Sequence, residues 1–148
     1  MIFKRIKELR ENKELTQRDI ANILGISKST YNRWETGDVF IPLKHLNALC
    51  NFYNVSMDYI IENTNIKNYE NISINLDKNI IGSRLLEFRK ENNLSQELLA
   101  KILNTTHSTI SAYEHGKTCI LTVFAYEIVT KYNLSLDWLC GRTEKKNR

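Results

Sequence analysis

An eleven-residue stretch, Ser27-Lys28-Ser29-Thr30-Tyr31-Asn32-Arg33-Trp34-Glu35-Thr36-Gly37, occurs twice in this chain. A shift of 79 positions lays Thr106-His107-Ser108-Thr109-Ile110-Ser111-Ala112-Tyr113-Glu114-His115-Gly116 on it without a gap. Ser, Thr, Glu and Gly fall at matching places. A length of 148 residues would ordinarily mean one domain, but a repeat of roughly 65 residues means two small ones, each closing its own core. The boundaries read as 1–64 and 81–143, with a linker over 65–80 and a basic tail over 144–148.

The composition, 42% hydrophobic and 26% charged, is that of a globular chain, and no apolar run approaches the roughly 18 to 20 residues of a membrane span. Met1-Ile2-Phe3-Lys4-Arg5-Ile6 lacks the continuous apolar segment of a secretory signal, so the chain reads as cytoplasmic. A net charge of +4 suits a polyanion partner without requiring one. Residues 1–64 carry nine basic and eight acidic groups, and residues 81–148 ten and seven, so any basic footprint is local.

Cys50, Cys119 and Cys140 are odd in number and lack C-x-x-C spacing, which signals neither a disulfide framework nor a zinc site. In the repeat register Cys119 falls on Phe40 and Cys140 on Ile61, so all three are expected to be small buried apolar side chains. His45, His107 and His115 have no carboxylate or cysteine at ligand spacing. No metal site, no cofactor and no catalytic constellation is expected, and the chain does not read as an enzyme.

Ile2, Ile6 and Leu9 with charges between them have the helical period, giving a first helix from Ile2 to Lys13. Thr16 with Asp19 three residues on forms an Asp-type capping box that opens a second helix,. Its apolar residues Ile20, Ala21, Ile23 and Leu24 lead to Gly25, the residue that most cheaply adopts left-handed geometry and turns the chain. Ser27 caps a third helix that Gly37 ends, with Tyr31 and Trp34 on one side and Lys28, Ser29, Asn32 and Arg33 on the other. Pro42 suits the first turn of a fourth helix, Leu43 to Tyr53, and Ser56 caps a short fifth through Ile61,.

The second repeat obeys the same physics. Ser95, Thr106 and Ser135 keep the caps, and Asn104 replaces Gly25 as the non-glycine residue most tolerant of left-handed backbone. Ile26, an apolar plug in the first turn, becomes Thr105. Arg10 and Glu35 are separated by 25 positions, as are Arg89 and Glu114, which predicts one salt bridge per repeat. Between the repeats Ile72, Ile74 and Leu76 alternate and allow a short strand.

A capped helix, a tight turn and a second capped helix with a polar outer face form a helix-turn-helix unit. With Leu15-Thr16-Gln17, Ala21, Gly25, Ser27, Thr30, Glu35 and Gly37 in place, the chain resembles the Cro/C1 family of helix-turn-helix regulators over both repeats. The resemblance implies an all-α fold of two tandem five-helix, lambda-repressor-like helix-turn-helix domains that bind double-stranded DNA. It implies phosphate contact at Gln17 with Arg18 beside it, and contact from the third helix at Ser27, Lys28, Ser29, Asn32 and Arg33. In the second repeat the implied set is Gln96, Thr106, His107, Ser108, Ser111 and Lys117, which lacks both cations of the first reading helix. It also implies that the Arg–Glu pairs lie inside each domain.

Base chemistry agrees independently. Lys and Arg donate to guanine, Asn pairs with adenine, and each good base contact contributes about 1 to 3 kcal/mol of discrimination. The expected function is a transcriptional regulator, a repressor, acting as a homodimer or as an intramolecular pseudo-dimer on an operator with unlike halves. The alternative is a protein-interaction adaptor or antitoxin-like regulator that keeps the fold as a scaffold.

Overall fold

The structure, a computed structural model, describes residues 3–68 and 72–147. It divides into two units, Met1–Ile74 and Asn75–Arg148, and its regular elements among the described residues are all helices. The first unit holds α1 (Lys4–Asn12), α2 (Gln17–Leu24), α3 (Lys28–Thr36), α4 (Leu43–Tyr53) and α5 (Met57–Ile60). The second holds α6 (Lys78–Glu91), α7 (Gln96–Leu103), α8 (His107–Glu114), α9 (Thr122–Lys131) and α10 (Leu136–Leu139).

Each unit closes one core from one face of each helix. Ile6, Ile20, Tyr31, Leu46, Leu49 and Met57 are fully buried in the first, and Leu85, Leu99, Ile110, Ala125 and Leu136 in the second. The caps hold the ends. Thr16 accepts from Asp19 N and forms the full capping box, and Ser27, Ser56, Ser95, Thr106 and Ser135 each accept from a first-turn amide. Gly25 ends α2 at φ 70, with its own N–H bonded to Asn22 O and that of Ile26 to Ala21 O, the paired pattern that satisfies a helix C-terminus. Asn104 repeats it at φ 57, through Lys101 O and Ala100 O.

The ends of elements differ from expectation. The first helix begins at Lys4 and stops at Asn12, and Ile2 lies outside the described residues. Pro42 stands just before α4 with extended backbone, and α5 ends at Ile60 with Ile61 as its cap. The second repeat starts earlier, because Asp77 accepts from Asn79 N and opens α6 at Lys78. Gly82 permits this longer helix to lie against α8, since a Cβ there would overlap Tyr113 O and come within 2.9 Å of Glu114 O.

No strand forms over residues 72–77. The carbonyl of Ile74 instead accepts from Asn47 Nδ2 and Asn51 Nδ2, both at 2.8 Å. Side-chain amides of α4 thus do what a neighbouring strand would have done. The basic tail is not a loose extension either. Ser135 N donates to Lys146 O, Leu134 bridges Asn147, and Lys146 Nζ sits 4.7 Å from the Trp138 ring centre while pairing with Glu87 and Glu91. In the first unit Ser56 N donates to Lys67 O at the equivalent place, so the repeat runs past residue 64 into the expected linker.

Cys50 and Cys140 are buried, whereas Cys119 is exposed. Phe40 packs edge-on against Phe3 with ring centres 6.2 Å apart. At the equivalent places the second unit has Cys119 and Gly82, and the aromatic cover is gone.

Candidate nucleic-acid interface

Lys28, Ser29, Asn32 and Arg33 are all exposed on α3, while Tyr31 and Trp34 on its other side are 0% and 2% exposed. The helix is thus fixed from behind and open in front. Ser27 Oγ accepts from Thr30 N at 3.0 Å and donates to Thr30 Oγ1 at 2.9 Å, so this predicted contact residue is occupied as a cap. Arg18 is exposed beside the first turn of α2. Arg18 and Lys28 line a 570 Å³ depression with Thr16, Gln17, Arg10 and Glu14. A helix N-terminus flanked by two cations is the arrangement that seats a phosphate.

Beneath this surface lies one carboxylate. Glu35 accepts from Arg10 Nε at 2.7 Å and Nη2 at 3.1 Å, from Gln17 Nε2 at 2.6 Å and from Tyr31 Oη at 3.1 Å. Arg10 Nη1 also ties the α1–α2 turn through Leu15 O. Burial works to raise the Glu35 carboxyl, but the hydrogen bonds from Arg10 and Gln17 outweigh it and hold it below the usual range. The same carboxylate, with burial first, raises the Tyr31 phenol. The predicted salt bridge is therefore the centre of a four-donor cluster joining α1, α2 and α3.

Gln17 has a structural role that was not expected of it. One amide hydrogen goes inward to Glu35 and the other to Asn32 Oδ1 at 3.1 Å on the exposed face, so its side chain orients Asn32. Nothing local encodes this contact, because the 15-residue separation of Gln17 and Asn32 closes only when α2 packs on α3.

In the second unit Glu114 accepts from Arg89 Nε at 2.6 Å and Nη2 at 2.8 Å, and from Gln96 Nε2 at 2.9 Å. Gln96 Oε1 lies 2.7 Å from His107 Nε2, and Glu97 Oε1 lies 3.7 Å from the same nitrogen. His107 therefore has a carboxylate neighbour after all. Glu97 and Ala112 stand where the first unit has Arg18 and Arg33, and Ser108 and Lys117 are exposed. Thr106 is the cap of α8, and Ser111 is turned to His115, whose Nδ1 is 3.3 Å from Ser111 Oγ. Beside α8, Thr105, Ala112, Cys119, Leu121 and Phe124 line a largely apolar 570 Å³ depression.

Two helices joined at a left-handed residue, the second fixed behind and polar in front, define a helix-turn-helix protein, and this chain carries the unit twice. It belongs to the Cro/C1-type helix-turn-helix family. The family model described as "Helix-turn-helix" matches residues 6–60 and again 85–139. The chain is similar to "Antitoxin PezA" of Streptococcus pneumoniae, 33% identical over 85 residues, which are 57% of this chain and 54% of that protein. It is similar to "Uncharacterized HTH-type transcriptional regulator YobD" of Bacillus subtilis, 38% identical over 61 residues, 41% of this chain and 54% of that one. It is also similar to "Cryptic phage CTXphi transcriptional repressor RstR" of Vibrio cholerae, 32% identical over 64 residues, 43% of this chain and 58% of that one. The chain thus spans a little over half the length of these relatives. No solved structure gives a significant match.

Proposed function

We propose that the protein is a sequence-specific double-stranded DNA-binding transcriptional regulator, acting as a repressor. The observation that carries this is the exposed row Lys28, Ser29, Asn32 and Arg33 on a helix immobilised from behind by Glu35. Relatives whose names describe transcriptional regulators and a repressor support it. On this reading α3 enters the major groove, Lys28 and Arg33 donate to guanine or phosphate, and Asn32, its Oδ1 engaged by Gln17, directs Nδ2 to a base acceptor. Arg18 and the first free amides of α2 hold a phosphate, which positions without reading. The protein works in the cytoplasm; among the described residues no helix is long and apolar enough to cross a membrane.

The second unit supplies a weaker interface, in which Gln96, His107, Ser108 and Lys117 offer hydrogen bonds without the two fixed cations of α3. Two unlike reading helices suit an operator with unlike halves. A homodimer reading through α3 alone is the competing arrangement.

The adaptor reading is favoured by one feature, the apolar depression beside α8, and by the relative named as an antitoxin. Salt separates the two. Binding through several phosphates falls log-linearly with salt, with a slope of about −0.9 per phosphate neutralised. A titration against duplex DNA showing that slope supports the regulator; absence of duplex binding at low salt overturns it.

A further inference from the structure

A chain of four side chains runs from the core of the second unit to the first residue of its reading helix: Arg89, Glu114, Gln96, His107. Its chemistry fixes a proton. The Glu114 carboxylate, held by Arg89, only accepts, so the Gln96 amide must turn its NH₂ toward it. Gln96 Oε1 then faces His107 Nε2 at 2.7 Å, and a carbonyl oxygen can only accept. The Nε2 nitrogen must therefore carry the hydrogen. A neutral imidazole has one N–H, which leaves Nδ1 as a bare acceptor on a side chain 52% exposed.

We propose that His107 is a specificity-determining residue of the second unit, presenting its Nδ1 acceptor to an exocyclic amino group, adenine N6 or cytosine N4, in the major groove. This deepens the DNA-binding reading and rests on it for the second unit. His107 opens α8, the part of a reading helix that reaches base edges, and only adenine and cytosine offer donors there. Lys28, at the equivalent place in the first unit, has donors only and favours guanine, whose O6 and N7 both accept. The two half-sites thus carry opposite hydrogen-bond polarity at one position, a difference in kind and not only in strength.

Charge around the ring comes from α7, where Glu97 Oε1 is 3.7 Å from Nε2, and from the Arg89–Glu114 pair of α6 and α8 behind Gln96. On α8 Ser111 follows one turn on, and His115 caps the helix C-terminus. A second proton would convert Nδ1 into a donor, so all variants are compared at one fixed alkaline pH.

Multiple-bond proton–nitrogen NMR of the full chain reads the His107 tautomer, assigned by its loss in His107→Ala. Selection from a random duplex pool then compares wild type, His107→Ala and His107→Lys, all at an exposed position that leaves the core untouched. The expected results are the Nε2–H form and an adenine or cytosine column whose preference drops about 5-fold or more in His107→Ala. His107→Lys moves that column to guanine. An Nδ1–H tautomer, or a guanine column already present in wild type and lost in His107→Ala, overturns the proposal alone. No column that responds to either variant overturns the DNA reading of the second unit, and this proposal with it.

Discussion

Gln17 Nε2 lies 2.6 Å from Glu35 Oε2, so the side chain expected to meet a phosphate is anchored inside its own domain. The same amide reaches Asn32 Oδ1, and the arrangement passes a fixed orientation from the buried Arg10–Glu35 pair to the reading surface. In the second unit the equivalent relay ends on His107. One scaffold device therefore serves two different reading residues.

Removing one partner of the buried pair leaves an uncompensated charge. Glu35 and Arg10 side chains are 5% and 11% exposed, so Glu35→Ala or Arg10→Ala is expected to cost about 3 to 5 kcal/mol. Denaturant unfolding checks this, and an unchanged midpoint for Glu35→Ala contradicts the structural role.

Acid sensitivity follows from the same carboxylates. Glu35 and Glu114 have folded pKa values held below the usual range, where hydrogen bonds from arginine and glutamine outweigh burial. Their stabilisation is complete above the unfolded glutamate value of about 4.3 and is lost as pH falls through the lower folded values. Stability measured from neutral pH downward should be flat to about pH 5 and then drop. In Glu35→Gln the drop should be shallower; an equal drop would mean that Glu35 is not a source of it.

Two glycines should respond differently to alanine. At Gly25 a Cβ meets nothing within 4 Å, so Gly25→Ala costs only the left-handed backbone, about 1 kcal/mol. At Gly82 the Cβ would collide with the Tyr113 carbonyl, and Gly82→Ala should destabilise the second unit by more, with α6 displaced from α8. Thermal unfolding of the two variants gives the order; a milder effect at Gly82 contradicts the packing described.

Much of this was legible because helix caps and repeat register are local. Thr16 with Asp19, the Gly25 to Asn104 exchange, and the equal spacing of Arg10–Glu35 and Arg89–Glu114 all led to observed features. The misses are long-range. Lys146 returning to Trp138, Glu87 and Glu91, or Ile74 captured by Asn47 and Asn51, depends on packing that no periodicity encodes. Cys119 followed the register to an apolar position, but its partner position had changed from Phe3 to Gly82.

Glu14 holds a left-handed backbone at φ 57, where the second repeat has Asn93 at φ 55. Asparagine tolerates that region far better, so Glu14→Asn should stabilise the first unit by about 1 kcal/mol. Chemical denaturation would show the gain, and a loss would contradict it.

On the DNA-binding reading α3 of the first unit is the sequence reader. Selection of bound duplexes from a random pool, run on wild type and on Lys28→Ala/Arg33→Ala at two salt concentrations, tests it most directly. The predicted result is an enriched motif that the double variant loses, with a shallower salt dependence, and unequal halves if both units engage one site. An unenriched pool, or a motif that survives the double variant unchanged, would contradict sequence reading by α3.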